Sequence, residues 1–193
     1  MREVRRSVYF VTQNKGKFRE AAQVTAAFGI SLKQLNTAKL EIQADRLTDV
    51  ATFAAKTAAE SRGSAVVSED AGFFVDALSG FPGPYSSYAF KSIGTGGILR
   101  LMRGVTRRSA HFSAAVAYCE PNKRPVCFTG TAEGFVSKHE RGSQGFGFDP
   151  IFVPNDGDGR TFAEMRIDEK NTLSHRAKAF AKFSRWYTSD RLT

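Results

Sequence analysis

The chain has 193 residues, 41% hydrophobic and 24% charged, with a formal net charge of +9. That length supports one well-buried domain without staples, and no run of about 18 apolar residues offers a membrane span. The positive excess points to an anionic partner: a nucleotide, RNA, or simply a solvated basic surface. The charged start Met1-Arg2-Glu3-Val4-Arg5-Arg6 has no apolar signal-type core, and Cys119 and Cys127 fit no zinc or redox spacing. A cytoplasmic protein with buried, reduced thiols is expected.

Ser7 to Thr12 is rich in β-branched and aromatic residues and predicts a first strand. It breaks at Gln13-Asn14-Lys15-Gly16, and a helical pattern follows from Lys17 to Phe28, stopped by Gly29. Strand, polar loop and helix start form a phosphate-binding geometry, because free backbone N–H groups and the helix dipole face the loop. The Walker spacing is absent; Thr12, Asn14 and Lys17 would supply side-chain donors instead. Ile30 to Leu35 predicts a second strand, and an alanine-rich helix is expected over about Thr48 to Ser61. Lys56 lies off that helix's apolar face and reads as solvated unless an anion stands opposite.

Val66-Val67-Ser68 predicts a third strand, ending abruptly at Glu69-Asp70-Ala71-Gly72. Two carboxylates at a strand end, with a glycine for a close turn, suit a divalent cation also held by phosphate. The next segment, Leu78 to Ser87, is too rich in Gly and Pro for regular structure and too apolar for a solvated loop, so a shaped lid is expected there. Thr95 to Met102 predicts a short helix ended by Gly104. Ser109 to Cys119 and Val126 to Val136 alternate as strands around a turn at 120–125.

Gly145-Phe146-Gly147-Phe148-Asp149-Pro150 interleaves glycines with rings. It fits either close approach to a flat ligand or a glycine-bent strand with core aromatics. Asn155-Asp156-Gly157-Asp158-Gly159 lacks the calcium-loop spacing and reads as a turn, since Met165 stands where the loop's last acid belongs. Ser174 caps a last helix running to about Tyr187, with His175 and Arg176 in its first turn. Cations there oppose the helix dipole and call for a compensating anion.

These motifs, in this order, resemble the inosine triphosphate pyrophosphatase (ITPase) family, in its archaeal and eukaryotic branch. The matching stretches are Thr12-Gln13-Asn14-Lys15-Gly16-Lys17, Ser68-Glu69-Asp70-Ala71-Gly72, Phe81-Pro82-Gly83-Pro84-Tyr85-Ser86, Gly145 to Pro150, and Thr161 to Met165 continuing through Glu169-Lys170-Asn171 to Ser174-His175-Arg176. The resemblance implies an α/β fold with a long twisted mixed β-sheet and two α/β lobes flanking a deep central cleft. Residues 1–193 would form one such domain, as a homodimer, with no membrane and no stable nucleic-acid partner. It implies Mg²⁺-dependent hydrolysis of ITP, dITP or XTP to a monophosphate and pyrophosphate.

By position, Thr12, Asn14, Lys17 and Lys56 would bind the triphosphate. Glu41 and Asp70 would hold Mg²⁺ with Glu69 nearby, and Asp70 would also activate water. Phe146 would stack on the base, while Asp149, Lys170, His175 and Arg176 complete the nucleoside pocket. An arginine fork can serve the O6 and N7 acceptors of a 6-oxopurine but not the adenine amine, which makes Arg176 the candidate for base selection. Ala71 replaces the hydroxyl residue many members carry, leaving its backbone N–H, and Ser87 stands where some relatives have a basic residue. Two other readings are a Maf-type nucleotide pyrophosphatase and a non-catalytic RNA-binding module.

Overall fold

The structure, a computed structural model, describes residues 6–37, 40 and 42–189. Its elements in chain order are β1 (Arg6–Val11), α1 (Lys15–Ala26), β2 (Ile30–Leu35), α2 (Leu47–Arg62), β3 (Val66–Val75), β4 (Pro82–Gly83) and α3 (Ser86–Leu101). They continue with β5 (Ser109–Cys119), β6 (Val126–Val136), β7 (Phe152–Pro154), α4 (Ile167–Leu173) and α5 (His175–Ser189). The strands form one mixed sheet in the order β2-β1-β3-β5-β6-β7, with β4 added to β3. The chain divides into two units, one of Met1–Asp70, Ala114–Gly130 and Arg176–Thr193, the other of Ala71–Ser113 and Thr131–His175.

In the first unit, β1 pairs in parallel with β2 and β3. Parallel strands are covered on both faces, which accounts for the nearly unbroken burial of β3. The apolar stripe of α5 brings Phe180 edge-on to Phe10 at 5.3 Å, and Tyr118 packs against Phe183, Trp186 and Tyr187. Each such ring contributes about 1.5–3 kcal/mol of burial. Gly63 closes α2 in the left-handed conformation, its N–H bonded to Ala59 O.

The second unit has its own core of Phe73, Phe112, Phe148, Phe152 and Phe162 with Ile98 and Met102. Both thiols are free, Cys119 buried and Cys127 half-buried, and burial pushes both above the ordinary thiol value. They are protonated and poorly nucleophilic at neutral pH.

Three expectations change. First, β3 does not end at its acids. It runs on to Val75, because Phe73 and Phe74 pair antiparallel with Gly83 and Pro82. Second, the expected lid contributes that two-residue strand and the start of α3, whose two helical runs meet at Gly94 (φ 61°, ψ −170°). Third, a short helix, α4, precedes α5, so Ser174 closes one helix immediately before the other begins.

Gly72 is where β4 comes closest. A Cβ there would lie 2.5 Å from Gly83 O and 2.8 Å from the Phe74 ring. Gly72→Ala is therefore expected to destabilise the protein by about 1–3 kcal/mol, read as a lower urea midpoint; an unchanged midpoint would mean that β4 yields freely.

Candidate functional site

The phosphate side grows from the β1–α1 turn. Thr12 Oγ1 accepts from the Asn14 N–H at 3.1 Å, and Asn14 Oδ1 accepts from the Gly16 and Lys17 N–H groups at 2.8 and 3.0 Å. Asn14 is thus the N-cap of α1, and it occupies two of the backbone donors that the sequence suggests are free. Gln34 Nε2 donates to Thr12 O and ties the turn to β2.

Register explains why this turn meets the acids. β1 and β3 pair up to Val11↔Ser68, so one residue further Thr12 stands level with Glu69. Lys17, in the first turn of α1, reaches Glu69 Oε2 at 2.8 Å. On the other oxygen, Arg176 contacts Glu69 Oε1 through Nε at 3.1 Å and Nη2 at 3.0 Å. Arg176 Nη1 then meets Glu20 Oε2 at 2.5 Å. The result is a chain of alternating charge, Lys17–Glu69–Arg176–Glu20, in which Glu69 and Arg176 are each only 2% exposed. The anion that the first turn of α5 calls for is this carboxylate pair.

Glu20 is the residue that sequence reasoning misses. Its signal is an acid three residues after Lys17, beside buried Ala21, on the inward stripe of α1. A carboxylate on such a face requires a buried cation.

Strand geometry separates the acid pair. Neighbours on a strand face opposite sides, so with Glu69 turned to Lys17 and Arg176, Asp70 is presented on the other face, 8% exposed. Ser68, two residues before Asp70 and on its face, buries a hydroxyl with no hydrogen-bond partner among the described residues. Lys56 is exposed on α2 (58% of its side chain), 4.0 Å from Glu60 one turn on, so an anion from outside the chain would have to draw it in. Glu41 lies outside the described residues. Ala71 follows Asp70 in β3, half-buried.

The second unit holds the other candidates. Lys170 Nζ lies 2.6 Å from Asp149 Oδ2, both buried, and the same oxygen accepts the Phe146 N–H at 2.8 Å. The ammonium also sits 5.1 Å over the Phe146 ring. Gly145, at φ 73°, leaves room for this carboxylate, since a Cβ would strike Asp149 Oδ2. The two rings of the glycine-phenylalanine stretch divide the alternatives between them. Phe148 is core, stacked on Phe73 at 5.2 Å, while Phe146 stays half-exposed. His175 is buried and stacks on Phe112 at 4.7 Å.

Arg160 fastens the Asp156–Gly159 turn to α4 by pairing with Asp158 and Glu169, at 2.9 and 2.8 Å. The Arg160 backbone N–H and guanidinium lower the Asp158 carboxyl, and the Arg160 guanidinium lowers that of Glu169. Depressed carboxyls stabilise the fold above their unfolded values, and that contribution is lost as pH falls through the depressed ones. The clasp therefore stays closed at any pH near neutral.

The two clusters are an anchored lysine at a helix start on one unit and a half-exposed ring beside a buried Asp–Lys pair on the other. Residues 8–186 match the profile of the Ham1 family, and the chain belongs to that family. It is 46% identical to the dITP/XTP pyrophosphatase of Methanopyrus kandleri over 183 residues, 95% of this chain and 97% of that one. It is also 46% identical over 177 residues to the dITP/XTP pyrophosphatase of Thermococcus kodakarensis, 92% and 95% of the two chains. Among solved structures, the HAM1 protein of Coxiella burnetii superposes with a TM-score of 0.83 at 28% identity, covering 95% of this chain and 98% of that one.

Proposed function

We propose that this protein hydrolyses non-standard purine nucleoside triphosphates (ITP, dITP, XTP) to the monophosphate and pyrophosphate, cleansing the nucleotide pool. The observation that carries the reading is Lys17, held by buried Glu69 at the capped start of α1. This is the cationic corner that a departing pyrophosphate needs. The archaeal relatives called dITP/XTP pyrophosphatases support the substrate class.

Thr12, Asn14 and Lys17, with Lys56 drawn in by the ligand, bind the triphosphate, and the Ala71 N–H adds a backbone donor. Phe146 stacks on the base; Asp149, Lys170 and His175 complete the nucleoside side. Arg176 and Glu69 act mainly by fixing Lys17, as their pairing suggests. Residues 1–193 are read as one functional domain.

Asp70 takes the proton from water as its oxygen bonds to the α-phosphorus and the bond to the β-phosphate breaks. Pyrophosphate leaves against Lys17, whose charge offsets what develops on the leaving oxygen. Among the described residues no group of three or more His, Cys, Asp or Glu could hold a metal. The Asp70 carboxylate, with Glu41 and phosphate oxygens, fits Mg²⁺, which takes one or two carboxylates plus substrate oxygens rather than a protein cage. When bound, Mg²⁺ neutralises part of the triphosphate charge and acidifies water.

No helix among the described residues is long and apolar enough to cross a membrane, which fits a cytoplasmic location. Phe81, Tyr85, Tyr88 and Phe90, close together in the chain, are each exposed, which favours a homodimer.

The deciding experiment is a panel of nucleoside triphosphates with Mg²⁺, products separated by chromatography. ITP and XTP are expected to give monophosphate and pyrophosphate and to outpace ATP and GTP, with activity lost in EDTA and restored by Mg²⁺. Orthophosphate and a diphosphate from ITP would overturn the assignment.

A further inference from the structure

The end of α3 and the turn after it carry Arg100, Arg103, Arg107 and Arg108 with no acid among residues 99–108. Lys138, just past β6, faces the same cavity of about 660 Å³, which is lined by Arg100, Arg103, Arg108 and Lys138 together with aliphatic Leu99 and Met102. All of these residues belong to the second unit, and none is part of the site described above.

Two observations mark this as a built site rather than a basic stretch of surface. The first is Arg108. Its Nε donates to Val136 O at 2.7 Å, Nη1 to Met102 O at 2.9 Å and Nη2 to Ser137 O at 2.8 Å. One guanidinium thus locks the exit of α3, which bears Arg100 and Arg103, to the exit of β6, which bears Lys138. All its partners are carbonyls, so its hydrogen bonds are satisfied while its charge is not neutralised.

The second is the lack of counter-charge. Arg46, Arg141, Arg160 and Arg166 each pair with a carboxylate, whereas Arg100, Arg103 and Lys138 have no ion-pair partner among the described residues. Cations gathered around a concavity repel one another unless an anion is shared between them.

We propose that this cavity binds a multiply charged inorganic phosphate, of the oligophosphate class, at a place separate from the catalytic residues. Several cations on two segments suit a ligand carrying several charges along a short chain. The lining holds no aromatic ring on which a base could stack, which disfavours single-stranded nucleic acid. The proposal stands whether or not the protein hydrolyses ITP.

The test is calorimetric titration of inorganic tripolyphosphate into the full chain at low ionic strength. The wild type is expected to show two binding events, one at each site. Arg100→Ala/Arg103→Ala/Lys138→Ala is expected to lose one, through a weakening of at least about tenfold that fades as salt is added. Its ITP turnover should match the wild type. Lys17→Ala should lose the other event and keep this one.

A control, Lys33→Ala/Lys123→Ala/Arg124→Ala, removes the same charge elsewhere and should bind as the wild type does. If the control weakened binding as much as the cavity variant, net charge alone would be acting and the site would not exist. Unchanged binding by the cavity variant would overturn the proposal directly. So would a change in its sedimentation with no change in binding, which would make this face an interface between copies.

Discussion

Asp70→Asn is expected to fold as the wild type does and to turn over ITP more than about 10²–10⁴-fold more slowly. The substitution is nearly isosteric at a position 8% exposed, so the urea midpoint should move little. Loss of a general base alone accounts for a fall within that range, and a fall beyond it would reflect a lost Mg²⁺ ligand as well, since the proposed mechanism gives the same carboxylate both roles. Lys17 and its pairing with Glu69 are left intact, so KM should change far less than kcat. A variant keeping more than about a tenth of the wild-type rate would remove Asp70 from the chemistry and pass that role to a residue outside the described set, Glu41 first.

Arg176→Ala is expected to act on stability before selectivity. Its guanidinium is the shared cation of Glu20 and Glu69, all three buried. Removing one partner of a buried pair typically costs about 3–5 kcal/mol, because the remaining charge is stranded. Chemical denaturation should show that loss, and Arg176→Met with Glu20→Gln and Glu69→Gln should recover much of it. The residue type suggests that the fork reads the O6 and N7 edge of the base, which would slow ITP far more than ATP. With the fork committed to two carboxylates, both substrates are expected to slow by a similar factor. A collapse of the ITP-to-ATP ratio, at unchanged stability, would return Arg176 to the base.

What could be read in the sequence divides along the range of the interactions. β2, β6 and the first half of β5 follow their alternation because each residue's environment repeats every second position, and α2 follows its alanine face with a glycine to end it. The Asn14 turn was legible because capping acts over two or three residues. By contrast, the continuation of β3 through Glu69 and Asp70 depends on Gly83 and Pro82, two residues of a Gly/Pro-rich segment that shows no strand pattern of its own.

The first half of α3 was hidden by Tyr88 and Phe90, whose exposed rings blur any helical stripe. Arg176 could be marked as anomalous at a helix start, but its partner Glu20 lies 156 residues away. No local rule connects the two. The division of labour between Phe146 and Phe148 likewise needed Asp149 and Phe73 in place before one ring could be assigned to the core and the other left beside Lys170.

The run of Lys17, Glu69, Arg176 and Glu20 also bears on heat. Stripping water from charged groups becomes less unfavourable as temperature rises, while the gain from burying apolar area levels off. On warming, this corner of the first unit loses less of its hold than the aromatic packing of Phe10, Phe180 and Phe183 beneath α5. The lysine at the start of α1 is therefore kept in place up to the temperature at which the surrounding core gives way. Thermal inactivation then coincides with melting of the unit and is not preceded by loosening of the site.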